Sequence, residues 1–314
     1  MQVQALNSRV FRCVERRRPF IFKRLLSPSS VVNERWLQEQ VFPALQPEVR
    51  CPRLLGHGDG WAVYEDCGPL TGSFAVSTRQ QVARNLARLH TLTTHPLPMD
   101  GLSHTPAIQE IVSFDQSESY FSAGFPVQTS QVDWLQRAFQ SHPLALASPV
   151  LCHGDMHPAN SGYAANQLVL IDWEYVHYDL LYWDLYCLLD MTSPDFAMAP
   201  NTHMRRQVLQ AYRAERTALG FPLPNVFVTD YFLYAALYSR WILGLIKQDL
   251  TVGRHEATAL LRQEQETRAV LADCRLFFLS QASINGLADR KESLNRKESL
   301  NRKESLNRKE SLDG

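Results

Sequence analysis

Leu151-Cys152-His153-Gly154-Asp155-Met156-His157-Pro158-Ala159-Asn160, followed a short way on by Ile171-Asp172-Trp173-Glu174, is the stretch whose reading decides the fold of this chain. Between the two halves, Asn160 to Tyr163 and Leu168 to Ile171 read as β-strands joined by Ala164-Ala165-Asn166-Gln167. Two carboxylates and a carboxamide therefore arrive at the two ends of one hairpin.

Phosphoryl transfer asks little covalent chemistry of a protein. It needs the phosphate charge neutralised by Mg2+ and the attacking hydroxyl held in line near a base. Asp155 suits the base, while Asn160 and Asp172 suit the metal as hard oxygen ligands. His153 belongs to the same catalytic stretch, read as a buried, backbone-bonded histidine that braces rather than transfers a proton. His157 and His177 lack metal-ligand spacing and read as surface or substrate-side polar residues.

Upstream, Val10 to Val14 and Pro19 to Leu25 form a predicted hairpin closed by Glu15-Arg16-Arg17-Arg18, with Lys23 on its second strand. Ser29 or Ser30 is positioned to cap a helix through Glu34 and Glu39 that stops at Pro43. A strand pair follows around Arg53 to Leu55 and Trp61 to Glu65, turned at Gly56 to Gly60. The turn-forming Asp66-Cys67-Gly68-Pro69 ends this pattern and marks a boundary. Beyond it, Val82, Leu86, Leu89 and His90 recur at helical steps, as do apolar positions from Tyr231 to Ile246 and Ala257 to Phe278. The second part is mainly helical.

His153-Gly154-Asp155 with Asn160 resembles the HGDxxxxN motif of aminoglycoside phosphotransferases and choline kinases, and Ile171-Asp172-Trp173-Glu174-Tyr175 resembles their I-D-[FW]-E segment. The resemblance covers about residues 7 to 280. It implies an α+β, bilobal protein-kinase-like fold: a small β-rich, nucleotide-binding N-lobe over 1–66, a larger α-helical, catalytic and acceptor-binding C-lobe over 67–285, and a low-complexity hexapeptide-repeat tail over 286–314. It further implies that Lys23 touches the nucleotide phosphates and pairs with Glu34, that Tyr64-Glu65-Asp66 form a hinge against the purine, and that Asp184 in Tyr182-Trp183-Asp184-Leu185 braces the catalytic loop, with Glu174 supporting. His90, on the helix after the hinge, is expected to be packed.

One departure stands out. Family members have a strand before the phosphate-covering loop, whereas here the first strand reads as missing, with Asn7 and Ser8 left as the loop's remnant donors. The implied cofactors are Mg2+ and ATP or GTP; the implied partner is a small-molecule alcohol such as an aminoglycoside, choline or ethanolamine, or a sugar. The alternatives are a pseudokinase serving as a binding or scaffold module, and a metal-dependent hydrolase using Asp155, His157 and Asp172.

Lys plus Arg and Asp plus Glu each total 32, so no broad positive field gathers nucleic acid or an anionic membrane. The six cysteines are scattered without a CxxC pair, which fits a reducing cytoplasm. No stretch reads as a signal peptide or a membrane span. Residues 97–150 and 190–260 are expected to line the acceptor pocket, where Asp100, Glu110, Asp115, Glu118 and Asp190 hint at a cationic substrate. The aromatics Trp173, Tyr175, Tyr178, Tyr182, Trp183 and Tyr186 read as core rather than as an ammonium cage. In the tail, Leu294, Leu300, Leu306 and Leu312 advance about 240° per repeat on a helix and form no buriable stripe.

Overall fold

The computed structural model describes residues 1–28, 30–72, 74–92, 148–198 and 201–281, with scattered positions between 97 and 144. Ser29, Asp100, Glu110, Asp115, Glu118 and the repeat tail with its four leucines lie outside the described residues.

The N-terminal part is a five-stranded antiparallel sheet in the order β1-β2-β3-β6-β5. Its strands are β1 (Gln2–Ala5), β2 (Val10–Glu15), β3 (Arg18–Arg24), β5 (Leu54–Gly58) and β6 (Trp61–Glu65), with a short β4 (Val49–Arg50) belonging elsewhere. The expected loss of the first strand is corrected: Gln2 to Ala5 pair with Val14 to Phe11. All four residues of β1 are exposed, so its polar–apolar alternation buries no face, and the pairing with the edge of β2 is what holds it as a strand. β2 and β3 are joined by Arg16-Arg17, both at positive φ, the geometry of a tight two-residue turn.

After β3, α1 (Ser30–Trp36) runs through a π-helical turn (Leu37–Val41) into α2 (Phe42–Leu45). Pro43 does not stop the helix as expected. It sits in the first turn of α2, where a backbone N–H has no partner within the helix to lose. Ser30 is helical and buried, and its hydroxyl makes no cap.

The C-terminal part holds α3 (Val76–Leu89), whose Val82, Leu86 and Leu89 face inward at the predicted spacing, followed by β7 (Val150–Cys152). The hairpin β8 (Ser161–Ala164) and β9 (Gln167–Leu170) turns at Ala165-Asn166, and β4 adds to β9 in parallel. β10 (His177–Asp179) pairs antiparallel with β7. Then come α4 (Tyr182–Leu189), α5 (Thr202–Ala218), α6 (Phe227–Val252) and a final helix α7 over 257–281.

Every residue of α4 is buried, and the N-terminal half of α6 is buried nearly all round, which makes these two the centre of the main core. Tyr182, Trp183 and Tyr186 pack there against Phe227, Tyr234 and Tyr238. They are core, and no cage. Among the described residues no helix is long and apolar enough to cross a membrane, and all six cysteines are free thiols.

Candidate active site

Two short strand pairs bring the decisive stretch together. β7 delivers the chain to Gly154, and β10 returns beside it in the register Cys152 to His177. Gly154 has φ +88°, and a Cβ there would lie 1.9 Å from the Tyr175 carbonyl oxygen and 2.9 Å from His177 Nδ1. Only glycine lets the loop press this closely on the returning segment. His177 is buried, with Nδ1 at 2.7 Å from the Tyr175 carbonyl and Nε2 at 3.4 Å from Asp179, so the expected surface position is corrected. Burial disfavours its imidazolium, yet the Asp179 carboxylate and Tyr175 carbonyl raise its pKa above the usual value.

His153 ties the two halves together. The Asp155 N–H donates to its Nδ1 at 3.3 Å, and its Nε2 donates to the Ile171 carbonyl at 3.0 Å. Its ring packs on Trp173, and burial holds it neutral. With both nitrogens engaged, it is a brace between the Asp155 loop and the residue before Asp172.

Asp184, fully buried at the start of α4, accepts the N–H groups of His153 at 2.8 Å and Gly154 at 3.0 Å, and contacts His90 Nε2 at 3.1 Å. Burial works against its charge, but His90, His153 and the Gly154 amide hold its pKa below the usual carboxylate range. His90 is packed, with Nδ1 at 2.7 Å from the Tyr212 hydroxyl.

Asn160 links the Asp155 loop to the cavity that Asp172 lines. Its Nδ2 donates to the Asp155 carbonyl at 2.8 Å and to Asp155 Oδ2 at 3.1 Å, which leaves Oδ1 for another partner. Asn160 and Asp172 line one cavity of about 300 Å³, together with Lys23, Glu34 and Tyr64. Asp172 sits at φ 65°, so the chain turns sharply there and carries Glu174 back toward β3. A hard carboxamide oxygen and a hard carboxylate facing one cleft fit Mg2+.

Lys23 is buried on β3 and ion-pairs with Asp172 and, at 2.7 Å, with Glu174. Burial disfavours its ammonium, but those two carboxylates outweigh it and raise its pKa. Burial likewise raises Asp172, and Lys23 overrides it to leave the carboxyl low. The expected Lys23–Glu34 pair is not formed, because the turn at Asp172 places two acids nearer the ammonium. Glu34 is instead buried against the Tyr64 side chain, and burial pushes its pKa to about 7.

Glu174 has a wholly buried carboxylate that also meets Arg9 Nη1 at 3.0 Å and the Leu26 N–H. Sequence reasoning missed Arg9: no glycine-rich loop pointed to it. Asn7 lines the cleft, whereas Ser8 is exposed and does not. Of the hinge residues, Glu65 pairs with Arg50 at 2.7 Å and Asp66 with Arg12 at 2.7 Å. The side chains of Glu65 and Asp66 are thus engaged by arginines at the edge of the cavity that Tyr64 also lines.

His157 Nε2 stands 3.5 Å from Asp155 Oδ2 and its ring packs on Phe196. Asp190 does not hint at a cationic substrate after all. Its carboxylate is buried between Arg205 Nε, at 2.7 Å, and the Tyr231 hydroxyl, so an internal cation already satisfies it.

A profile of the phosphotransferase enzyme family matches residues 3–221. No curated protein sequence matches the chain. Among solved structures, choline kinase LicA from Streptococcus pneumoniae is similar at 18% identity and TM-score 0.52, covering 87% of this chain and 94% of that one. The GDP complex of wild-type aminoglycoside 2'-phosphotransferase-IIIa is similar at 16% identity and TM-score 0.56, covering 88% and 92%. Amicoumacin kinase hAmiN in complex with AMP-PNP, Ca2+ and Ami is similar at 14% identity and TM-score 0.57, covering 87% and 88%. At these identities the likeness is one of fold: a kinase-like architecture with a β-sheet N-terminal part and a helical C-terminal part.

Proposed function

We propose that this chain, which belongs to the phosphotransferase enzyme family, moves the γ-phosphate of ATP or GTP onto a hydroxyl of a small-molecule alcohol, with Asp155 as the base. The observation that carries the reading is the Asn160 side chain, which bonds the Asp155 carboxylate at 3.1 Å while lining the same cleft as Asp172 and Lys23. The proposed metal donors and phosphate cation thus line one space, and Asn160 ties the proposed base to it, beside the loop that Asp184 and His153 hold in place.

Asp155 accepts the proton of the attacking hydroxyl and orients it. Asn160 and Asp172 hold Mg2+, whose chemistry here is to neutralise phosphate charge. Lys23 steadies the phosphates, and the backbone of Tyr64, Glu65 and Asp66 meets the purine edge. The nucleotide assignment draws on relatives whose structures are described as complexes of GDP or AMP-PNP. Those relatives are named for choline, aminoglycosides and amicoumacin, so the acceptor here is an alcohol of that broad range.

Asp155→Ala tests the mechanism. Turnover is expected to fall by about 10^2- to 10^4-fold, while stabilisation by Mg2+-nucleotide in a thermal-shift titration persists. Unchanged turnover refutes Asp155 as the base. A wild-type protein unaffected by millimolar Mg2+-ATP and Mg2+-GTP refutes the nucleotide site and favours a scaffolding module. Nucleotide consumption across a panel of aminoglycosides, choline, ethanolamine and sugars identifies the acceptor.

A further inference from the structure

The loop that covers the phosphate end of the cleft runs from Leu6 to Arg9 between β1 and β2, and it contains no glycine. Phosphate loops of the usual kind meet their ligand with backbone N–H groups. Here the N–H groups of Leu6, Asn7, Arg9 and Val10 are taken up inside the loop. The N–H groups of Leu6 and Asn7 donate to the Val10 carbonyl at 2.8 and 3.2 Å. Those of Arg9 and Val10 both donate to Asn7 Oδ1 at 2.8 Å. Asn7 thereby closes the turn without glycine, in the manner of an Asx-turn, and engages the amides of Arg9 and Val10.

The same turn carries one cation to the edge of the cleft, behind Lys23 rather than in the lining itself. Arg9 Nη1 bonds Glu174 Oε2 at 3.0 Å and the Arg24 carbonyl at 3.1 Å. Glu174 Oε2 also holds Lys23 Nζ at 2.7 Å, so the guanidinium and the ammonium stand on either side of a single oxygen. Lys23 lines the cleft, and the Arg9 charge helps keep the Asp172 carboxyl ionised. Both Arg9 bonds use Nη1, and its side chain is 32% exposed, which leaves the Nε and Nη2 edge of the fork open to an anion.

We propose that Arg9 is the phosphate-binding residue of this loop, taking oxygens of the terminal phosphates through its guanidinium where other loops use backbone amides. Glu174 is the partner that holds Arg9 and Lys23 side by side. The inference rests on the nucleotide reading above and adds a residue to it: the ligand class is a nucleoside di- or triphosphate, and the contact is to its phosphates alone.

The test uses the full chain and its Arg9→Met and Arg9→Gln variants, titrated with Mg2+-ATP, Mg2+-GTP, Mg2+-ADP and the bare nucleosides by calorimetry and thermal shift. Arg9→Met is expected to bind di- and triphosphates about tenfold to a hundredfold more weakly, the effect of one lost charge-assisted contact, with nucleoside binding unchanged. The affinity for triphosphate should also fall less steeply with salt than in the wild type, because one cation is missing. Should Arg9→Met fold poorly without ligand, Arg9→Gln, which keeps a donor toward Glu174, carries the same comparison. Wild-type affinity for triphosphates in a folded variant overturns the Arg9 assignment and leaves the nucleotide reading intact. Equal weakening toward nucleosides also overturns it, since Arg9 would then act by shaping the sheet. A wild-type chain that binds no nucleotide removes both.

Discussion

Gly154→Ala is the substitution with the sharpest consequence. The new Cβ would stand 1.9 Å from the Tyr175 carbonyl oxygen, 2.7 Å from its carbon and 2.9 Å from His177 Nδ1. The first two are backbone atoms, so no rotamer change relieves them; the segment leading into β10 must move, against its pairing with β7. The backbone adds its own penalty, since φ +88° costs a residue with a Cβ about 1–3 kcal/mol. The two effects together are expected to destabilise the protein by about 4 kcal/mol or more, at the diagnostic end for a single substitution. Gly253→Ala, at the C-terminus of α6, is the control. It has φ +65° and nothing within 4 Å of its Cβ position, so it carries the backbone penalty alone, about 1 kcal/mol. Urea unfolding of both variants, read as midpoint shifts at constant slope, isolates the overlap as their difference. If Gly154→Ala loses no more stability than Gly253→Ala, the close approach of the loop to β10 is wrong, and the bracing geometry built on it fails with it.

Two further variants probe the buried acids. Asp184→Asn replaces an acceptor of two backbone N–H groups and a His90 contact with a group whose amide hydrogens face donors; a loss of about 2–4 kcal/mol is expected by urea unfolding, with faster amide exchange at His153 and Gly154. No change in either measurement would show that the loop is held by something else. Burial pushes the Glu34 carboxyl up to about 7 from its ordinary 4.5. Folding therefore takes up a proton between those values, and the contribution of Glu34 to stability is complete below about pH 4.5 and falls as pH rises toward 7, by about 3 kcal/mol. Unfolding measured from pH 4.5 to 8 should show Glu34→Gln gaining on the wild type by about that amount, and a difference that stays flat with pH contradicts the burial argument.

The helical periods of α3 and α6, the β2–β3, β5–β6 and β8–β9 hairpins and the pair of carboxylates with Asn160 were all legible in the order of residues. Each depends on neighbours a few positions apart, and local spacing carries that information. The β7–β10 pair was not legible, because strands this short have no period to read, and their partners lie on opposite sides of the site. β1 escaped for another reason: its four residues stand exposed at the sheet edge, so their alternation marks no buried face. The Lys23–Glu34 pairing failed differently: charge and chain order allowed several acids to reach the lysine, and only the left-handed turn at Asp172 decided in favour of Asp172 and Glu174. Asp190 looked like a free acid until Arg205, distant in sequence, was found buried against it.

By itself the sequence determined which side chains stand in the loop from His153 to Asn160, that two carboxylates and a carboxamide flank one hairpin, and that a sheet precedes a helical part. Tertiary structure alone decided which charges meet. Arg9, Lys23 and Leu26 converge on Glu174 from across the chain. Local patterns arise from steric and hydrophobic preferences that act over a few residues, whereas an ion pair depends on distance in space, and distance exists only once the chain has closed on itself.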